Sequence, residues 1–189
     1  EKYRNDNIEF DNKSNLFGFN NKVYDLEKNE FRNYKKEDMV TITTGYDWKE
    51  PEEEEIKLIE SIIKKIHIDK EIRLFYLDIL CTGLWGVTLQ NYIIFNAKGS
   101  NGKSMLDDLL LTGMGNYGHL INSIILCEQR HQGANTELAN LHKKRLVIGR
   151  EPPKKQNVKL SNSILKELTG GSGISAERYT VTMKKHYYV

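Results

Sequence analysis

The sequence predicts an α/β protein. Its core is a parallel sheet around a phosphate loop (residues 89–189), preceded by a small β-rich module (residues 1–50) and a helical segment (residues 51–88). Three observations predict this. A short apolar run, Tyr92-Ile93-Ile94-Phe95, leads through a glycine-rich turn into a helical stripe. A second buried-type run, Leu146-Val147-Ile148-Gly149, ends next to an acidic residue. Between residues 51 and 85, isoleucines and aromatics recur at helical spacing.

Taken in order, the first fifty residues read as short strands. Leu16, Phe17 and Phe19 precede the turn dipeptide Asn20-Asn21. Lys22 to Leu26 alternates weakly, and Lys28-Asn29 turns into Glu30-Phe31-Arg32. Val40 to Thr44, rich in β-branched residues, is expected as a further strand, broken by Gly45. Residues 51–66 predict a helix. Pro51 suits its first position, Glu52 to Glu55 suit its positive end, and Ile56, Ile59, Ile62, Ile63 and Ile66 form its stripe. The acidic run reads as a solvated first turn rather than a metal site. Residues 70–85 predict a second helix with Ile72, Phe75, Tyr76, Ile79 and Leu80 on one face, Cys81 packed near it, and Gly83 or Gly86 ending it. His67, between the helices, reads as a loop or cap histidine. After the turn, Met105, Leu106, Leu109 and Leu110 form a stripe that Gly113, Gly115 and Gly118 break. A last helix is expected over 161–168, and residues 174–189 alternate like a β-hairpin arm.

Composition narrows the classes. The 189 residues are 39% hydrophobic with a mean hydropathy of −0.58, and no apolar run approaches the ~18 residues of a membrane span. No charged and apolar leader opens the chain, so nothing signals export and an intracellular setting is expected. Two distant cysteines, Cys81 and Cys127, exclude a disulfide framework or a cysteine-rich zinc site. The chain opens on Glu1 and closes on Val189 within a strand-like run, and reads as an internal fragment of a longer protein. Its net charge of +2 hides an asymmetry. Residues 1–89 carry 14 Lys+Arg against 19 Asp+Glu, and residues 90–189 carry 14 against 7. The basic half suits a phosphate-rich partner.

The chemistry concentrates in Ala97-Lys98-Gly99-Ser100-Asn101-Gly102-Lys103-Ser104. A triphosphate needs many donors at close range. Glycines let the backbone wrap it, and the amides of a helix N-terminus point at it. A lysine reaches the outer phosphates and a following hydroxyl holds Mg²⁺. Ala97, Gly99, Ser100, Asn101, Gly102, Lys103 and Ser104 are therefore the nucleotide-binding candidates, although the usual pattern opens on Gly where this chain has Ala97. With Ala allowed there, chance supplies such a match in roughly one chain of this length in a hundred. Hydrolysis also needs a carboxylate at the end of a neighbouring strand. Glu151, 48 positions beyond Lys103, is the candidate, and shares the metal with Ser104. Glu128 and Glu137 lie off any strand end, and Asp107 and Asp108 are expected to face away from the site.

Four stretches then resemble the motifs of superfamily 3 helicases, and more narrowly the primase-helicases of poxviruses, giant viruses and related phages. They are Asn101 to Ser104, Thr136-Glu137-Leu138-Ala139-Asn140-Leu141, Lys144 through Glu151-Pro152, and Lys166-Glu167-Leu168-Thr169-Gly170-Gly171. Lys22 to Asp47 and the helices after it are similar to the segment that precedes that family's helicase core. The resemblance implies an AAA+ type ATPase that assembles as a ring, usually a hexamer, binds ATP with Mg²⁺ between subunits and threads single-stranded DNA. A primase domain, if the parent has one, would lie upstream, and for a virus the setting is the host cytoplasm or nucleus. By position, Gly102, Lys103 and Ser104 match the phosphate loop, and Glu151 the acidic Walker B residue. Residues 166–171 match the B-prime motif, beyond which Lys184, Lys185 and His186 become candidate DNA contacts. Ser172 stands where the family often has Asp, and Arg150-Glu151 replaces an acidic pair. The family's sensor Asn and arginine finger are expected after Val189. The chain alone is therefore expected to bind nucleotide better than it turns it over.

The function expected is an ATP-dependent helicase of viral or mobile-element DNA replication that translocates on single-stranded DNA. Two other readings remain open: a small-molecule kinase with a phosphate loop, which needs an Arg-rich lid, and a non-catalytic DNA-binding replication scaffold.

Overall fold

The computed structural model describes residues 9–86, 89–96, 102–127, 136–150 and 159–170. They form a mixed α/β structure with a three-stranded antiparallel sheet and a two-stranded parallel one. The antiparallel sheet runs β1 (Leu16–Gly18), β2 (Val23–Asp25) and β3 (Glu30–Arg32) in sequence order. Asn20-Asn21 closes the first hairpin, where the Phe19 amide donates to the Lys22 carbonyl at 2.8 Å. Asn29 takes the left-handed conformation (φ +55°) in the second. Three-residue strands cannot stand on ladder bonds alone. The module is reinforced by Arg32, whose guanidinium donates to Asp25 at 3.3 Å and to both oxygens of Asp38 at 2.7 and 3.0 Å. Both carboxylates are buried.

The helical segment follows the sequence closely. Helix α1 (Glu53–Ile66) is capped by Glu52, whose amide donates to Glu55 Oε2 at 2.9 Å. Pro51 thus stands just before the cap rather than inside the helix. His67 is the C-cap, its amide donating to Ile63 at 2.8 Å. Helix α2 (Lys70–Trp85) opens on Asp69, which accepts the amides of Glu71 and Ile72, and ends at Gly86 in the left-handed conformation (φ +61°).

Helix α3 (Lys103–Met114) leads into β4 (Gly118–Ile121), then α4 (Thr136–Ala139), β5 (Leu146–Gly149) and α5 (Asn162–Thr169). Strands β4 and β5 are parallel, with Gly118 opposite Leu146 and Ile121 opposite Gly149. The core joins the N-terminal sheet to this half. Phe17 and Phe19 of the first hairpin pack with Met114 and Tyr117, and Leu84 and Leu146 close round them. Phe17 stacks on Tyr117 at 4.6 Å between centroids. The Tyr117 hydroxyl accepts the Gly18 amide and donates to the Ile42 carbonyl at 2.5 Å.

Arg145 binds three segments together. Its guanidinium donates to the carbonyls of Ser14 (3.0 Å), Leu16 (2.6 Å) and Leu84, and lies 4.8 Å from the Tyr117 ring centre. Burial pulls its pKa down, opposed by the Tyr117 hydroxyl and Asp11.

Several elements depart from the sequence reading. Val40 to Thr44 is not a strand, because its amides bond elsewhere: Thr41 and Ile42 donate to the Asp11 carboxylate, and Thr44 to the Gly18 carbonyl. Tyr92 to Phe95 joins no ladder among the described residues, and these side chains are exposed. Phe95 instead packs edge-on to Tyr76 at 5.4 Å, so aromatic contact with α2 replaces sheet pairing. On α2 only Tyr76 is buried, while Ile72 and Phe75 are exposed. Cys81 is exposed as well. Five residues past Tyr76 is ~140° round the helix, off the buried face. On α3, Leu106 is buried and Met105 is not. Strand β4 has no counterpart in the sequence reading.

Candidate nucleotide site

The end of the glycine-rich turn takes the shape its sequence requires. Gly102 has φ +83°, a conformation L side chains rarely adopt, and a Cβ there would meet Ile66 Cγ1 of α1 at 3.2 Å. Glycine is thus demanded twice, by the backbone and by the approach of α1. Gly102 is the N-cap of α3, and its carbonyl accepts the first helical bond from Leu106 at 3.1 Å. Lys103 and Ser104 are the first two residues of the helix. The first-turn amides of this twelve-residue helix are donors of the kind an anion takes. The groups here that could hold a triphosphate with Mg²⁺ are the first-turn amides and Lys103 for the phosphates and the Ser104 hydroxyl for the metal. Ala97, Gly99, Ser100 and Asn101 lie outside the described residues, as do Glu151 and Lys184, Lys185 and His186.

The described end of β5 meets α3 at Arg150. Its guanidinium pairs with the carboxylate of Asp108. Asp108 thus pairs with the residue that follows β5, while its own side chain stays exposed. Next to it, burial pushes the Asp107 carboxyl up, aided by the Asp108 charge and opposed by Arg150 and Lys103. Those influences place Lys103, Asp107, Asp108 and Arg150 in one electrostatic neighbourhood.

The turn after β4, residues 122–127, supplies residues that the sequence did not mark. Its Asn122 amide donates to Glu137 Oε1 at 3.1 Å, and the His119 ring lies 3.5 Å from the same oxygen. The buried Ser123 hydroxyl donates to the Arg150 carbonyl. Glu137 thus reaches a strand end through space, although in sequence it lies off any. On the other side of the site, His67 packs 4.4 Å from Tyr76 between ring centres. Burial and the nearby Arg73 hold its pKa below the usual histidine value.

Comparison with known proteins adds relatives of this chain. The model of the D5 N terminal like domain matches residues 1–68. The chain is 32% identical over 171 residues to the "Putative helicase L207/L206" of Acanthamoeba polyphaga mimivirus, a match covering 88% of this chain and 18% of that protein. It is 33% identical over 156 residues to "Primase D5" of Fowlpox virus (strain NVSL), covering 78% and 20%. These matches fit a fragment of a poxvirus or giant-virus primase-helicase, in line with the resemblance of the motifs. The chain spans about a fifth of the length of the two relatives. The matched domain model covers β1 to β3 and α1, and its Phe17 and Phe19 pack on Met114 of α3 and on Tyr117.

Proposed function

We propose that the chain carries the nucleotide-binding part of an ATP-dependent DNA helicase, an AAA+ type motor of superfamily 3 that works in viral DNA replication as a ring, usually a hexamer. One observation carries the reading: Gly102, held left-handed under Ile66, starts α3 so that Lys103 and Ser104 occupy its first turn. Lys103 offsets charge on the outer phosphates, and Ser104 and Glu151 are the residues that would hold Mg²⁺. That ion supplies charge neutralisation on the phosphate oxygens when bound. Glu151 orients water for attack. Lys184, Lys185 and His186 touch backbone phosphates of single-stranded DNA, so binding is indifferent to base sequence and weakens with salt. Names of the two relatives, a helicase and a primase, support replication as the setting.

The kinase reading loses ground on two residues. A lid needs arginines free to close on a phosphate, whereas Arg145 is committed to three carbonyls and Arg150 to Asp108.

The test is Lys103→Ala in the intact protein, with ATP binding followed by a fluorescent analogue. Nucleotide binding is lost in the variant, and tight binding retained would count against the reading. ATP turnover stimulated by single-stranded DNA separates a motor from a scaffold.

A further inference from the structure

A glycine permits the left-handed conformation but does not choose it, since it takes positive and negative φ about as readily. Gly102 nevertheless stands at φ +83° where α3 begins, so packing has to select that state. Its neighbour across the fold is Ile66. A Cβ on Gly102 would meet Ile66 Cγ1 at 3.2 Å and Cδ1 at 3.3 Å. Ile66 is the last residue of α1, and a β-branched side chain in a helix keeps essentially one χ1 rotamer, so the surface it presents is stiff. The end of α1 is itself held. The His67 amide donates to the Ile63 carbonyl at 2.8 Å, and Arg73 of α2 donates to the carbonyls of His67 at 2.9 Å and Ile68 at 3.2 Å. The His67 ring lies 4.4 Å from Tyr76 and 6.1 Å from Phe95 between centroids, and its Nε2 is buried without a hydrogen-bond partner among the described residues. A nitrogen left unbonded in this way costs stability, so the ring is there to pack. The same block acts on α3 beyond its first turn: burial, and after it the Asp107 charge, raise the Tyr76 hydroxyl. The corner between α1 and α2 is thus fixed from several sides, and Ile66 is what it turns to Gly102.

We infer that Ile66 is a positioning residue for nucleotide binding: it selects the left-handed state of Gly102 and so pre-forms the first turn of α3, carrying Lys103 and Ser104, before any phosphate arrives. The inference rests on the reading proposed above, in which that turn takes a triphosphate. Ile66 acts through Gly102 rather than on the nucleotide. It sets the fraction of molecules whose turn already has the binding shape, and apparent affinity falls in proportion to that fraction. A turn correctly shaped in one molecule in ten binds about ten-fold more weakly, while the complex, once formed, reacts as before. Ile66 lies within residues 1–68, the part matched by the D5 N terminal like model, so that part takes a share in holding nucleotide.

The experiment measures ATP affinity and kcat separately in the intact protein, for Ile66→Ala, Ile66→Val and Val23→Ala, with Lys103→Ala beside them. Valine keeps Cγ1, the nearer atom to Gly102, and alanine removes both. Val23, fully buried in β2 of the antiparallel sheet, is the control for lost core packing. Ile66→Ala raises the Kd for ATP about ten-fold and leaves kcat at saturating ATP within about two-fold. Ile66→Val and Val23→Ala leave both quantities within about two-fold of the unsubstituted protein. Unchanged ATP affinity in Ile66→Ala, an equally large loss in Ile66→Val or Val23→Ala, or a fall in kcat that matches the fall in affinity would each overturn the inference. Tight ATP binding by Lys103→Ala, or no ATP binding by the unsubstituted protein, would instead overturn the underlying functional reading.

Discussion

Arg32 shows how much a single residue carries in a sheet of three-residue strands. It neutralises two buried carboxylates, and no other cation bonds to either side chain among the described residues. The Arg32 hydrogen bond holds the Asp38 carboxyl below the usual carboxylate range against the cost of burial. For Asp25 burial is the largest influence and pushes upward, yet the Lys28 amide and Arg32 outweigh it, so this carboxyl is lowered too. Both groups therefore bind protons less readily folded than unfolded. The stability they give is complete above about pH 4 and is lost as pH falls through their lowered folded values. Arg32→Met leaves both charges buried without a counter-ion and costs about 3–5 kcal/mol at neutral pH. It also moves acid unfolding to higher pH, which far-ultraviolet circular dichroism against pH reads directly. None of this was visible in Glu30-Phe31-Arg32 as a sequence, because the partners lie seven residues before it and six after.

Among elements, the long helices were the most legible and the strands the least. Helix α2 was expected over residues 70–85 and spans Lys70–Trp85. Its ends are written locally, in an Asp cap and a glycine stop. Strands depend on what lies beside them. Val40 to Thr44 has strand composition but spends its amides on Asp11 and Gly18, and Gly118–Ile121 pairs although two glycines and an asparagine surround it. Which face of α2 is buried was likewise set by distant chain: Tyr76 meets Phe95 and His67. The turn at Gly102 and the helix start at Lys103 were readable because their geometry is local. Ser123 was not, since its one telling contact is with a residue 27 positions away. The C-cap of α3 gives a sharp test of element geometry. Gly115 has φ +51°, and a Cβ on it would fall 1.8 Å from the Thr44 carbonyl oxygen. Gly115→Ala forces Thr44 and the chain before α1 away from α3. A loss of more than about 3 kcal/mol is expected in urea unfolding, from backbone strain and overpacking combined.

In the whole molecule the N-terminal sheet and the parallel pair share one core, and Arg145 is the polar centre of that junction. The sequence marked Lys144-Arg145-Leu146-Val147-Ile148 as the approach to an acidic strand end, and gave no hint that the arginine faces the other way, into the N-terminal strands. Lysine there keeps the charge but cannot reach three carbonyls in one plane or lie flat on Tyr117. Arg145→Lys is expected to cost about 3 kcal/mol, seen as a lower urea midpoint with an unchanged slope. The slope stays because the two halves still unfold as one.

That junction has a consequence for how such proteins can diverge. Arg145 grips main-chain oxygens, which every amino acid presents alike, so the side chains at positions 14, 16 and 84 are free of any duty to it. A hairpin grafted from a distant relative would meet the same anchor as the native one, so long as its path past the guanidinium were kept.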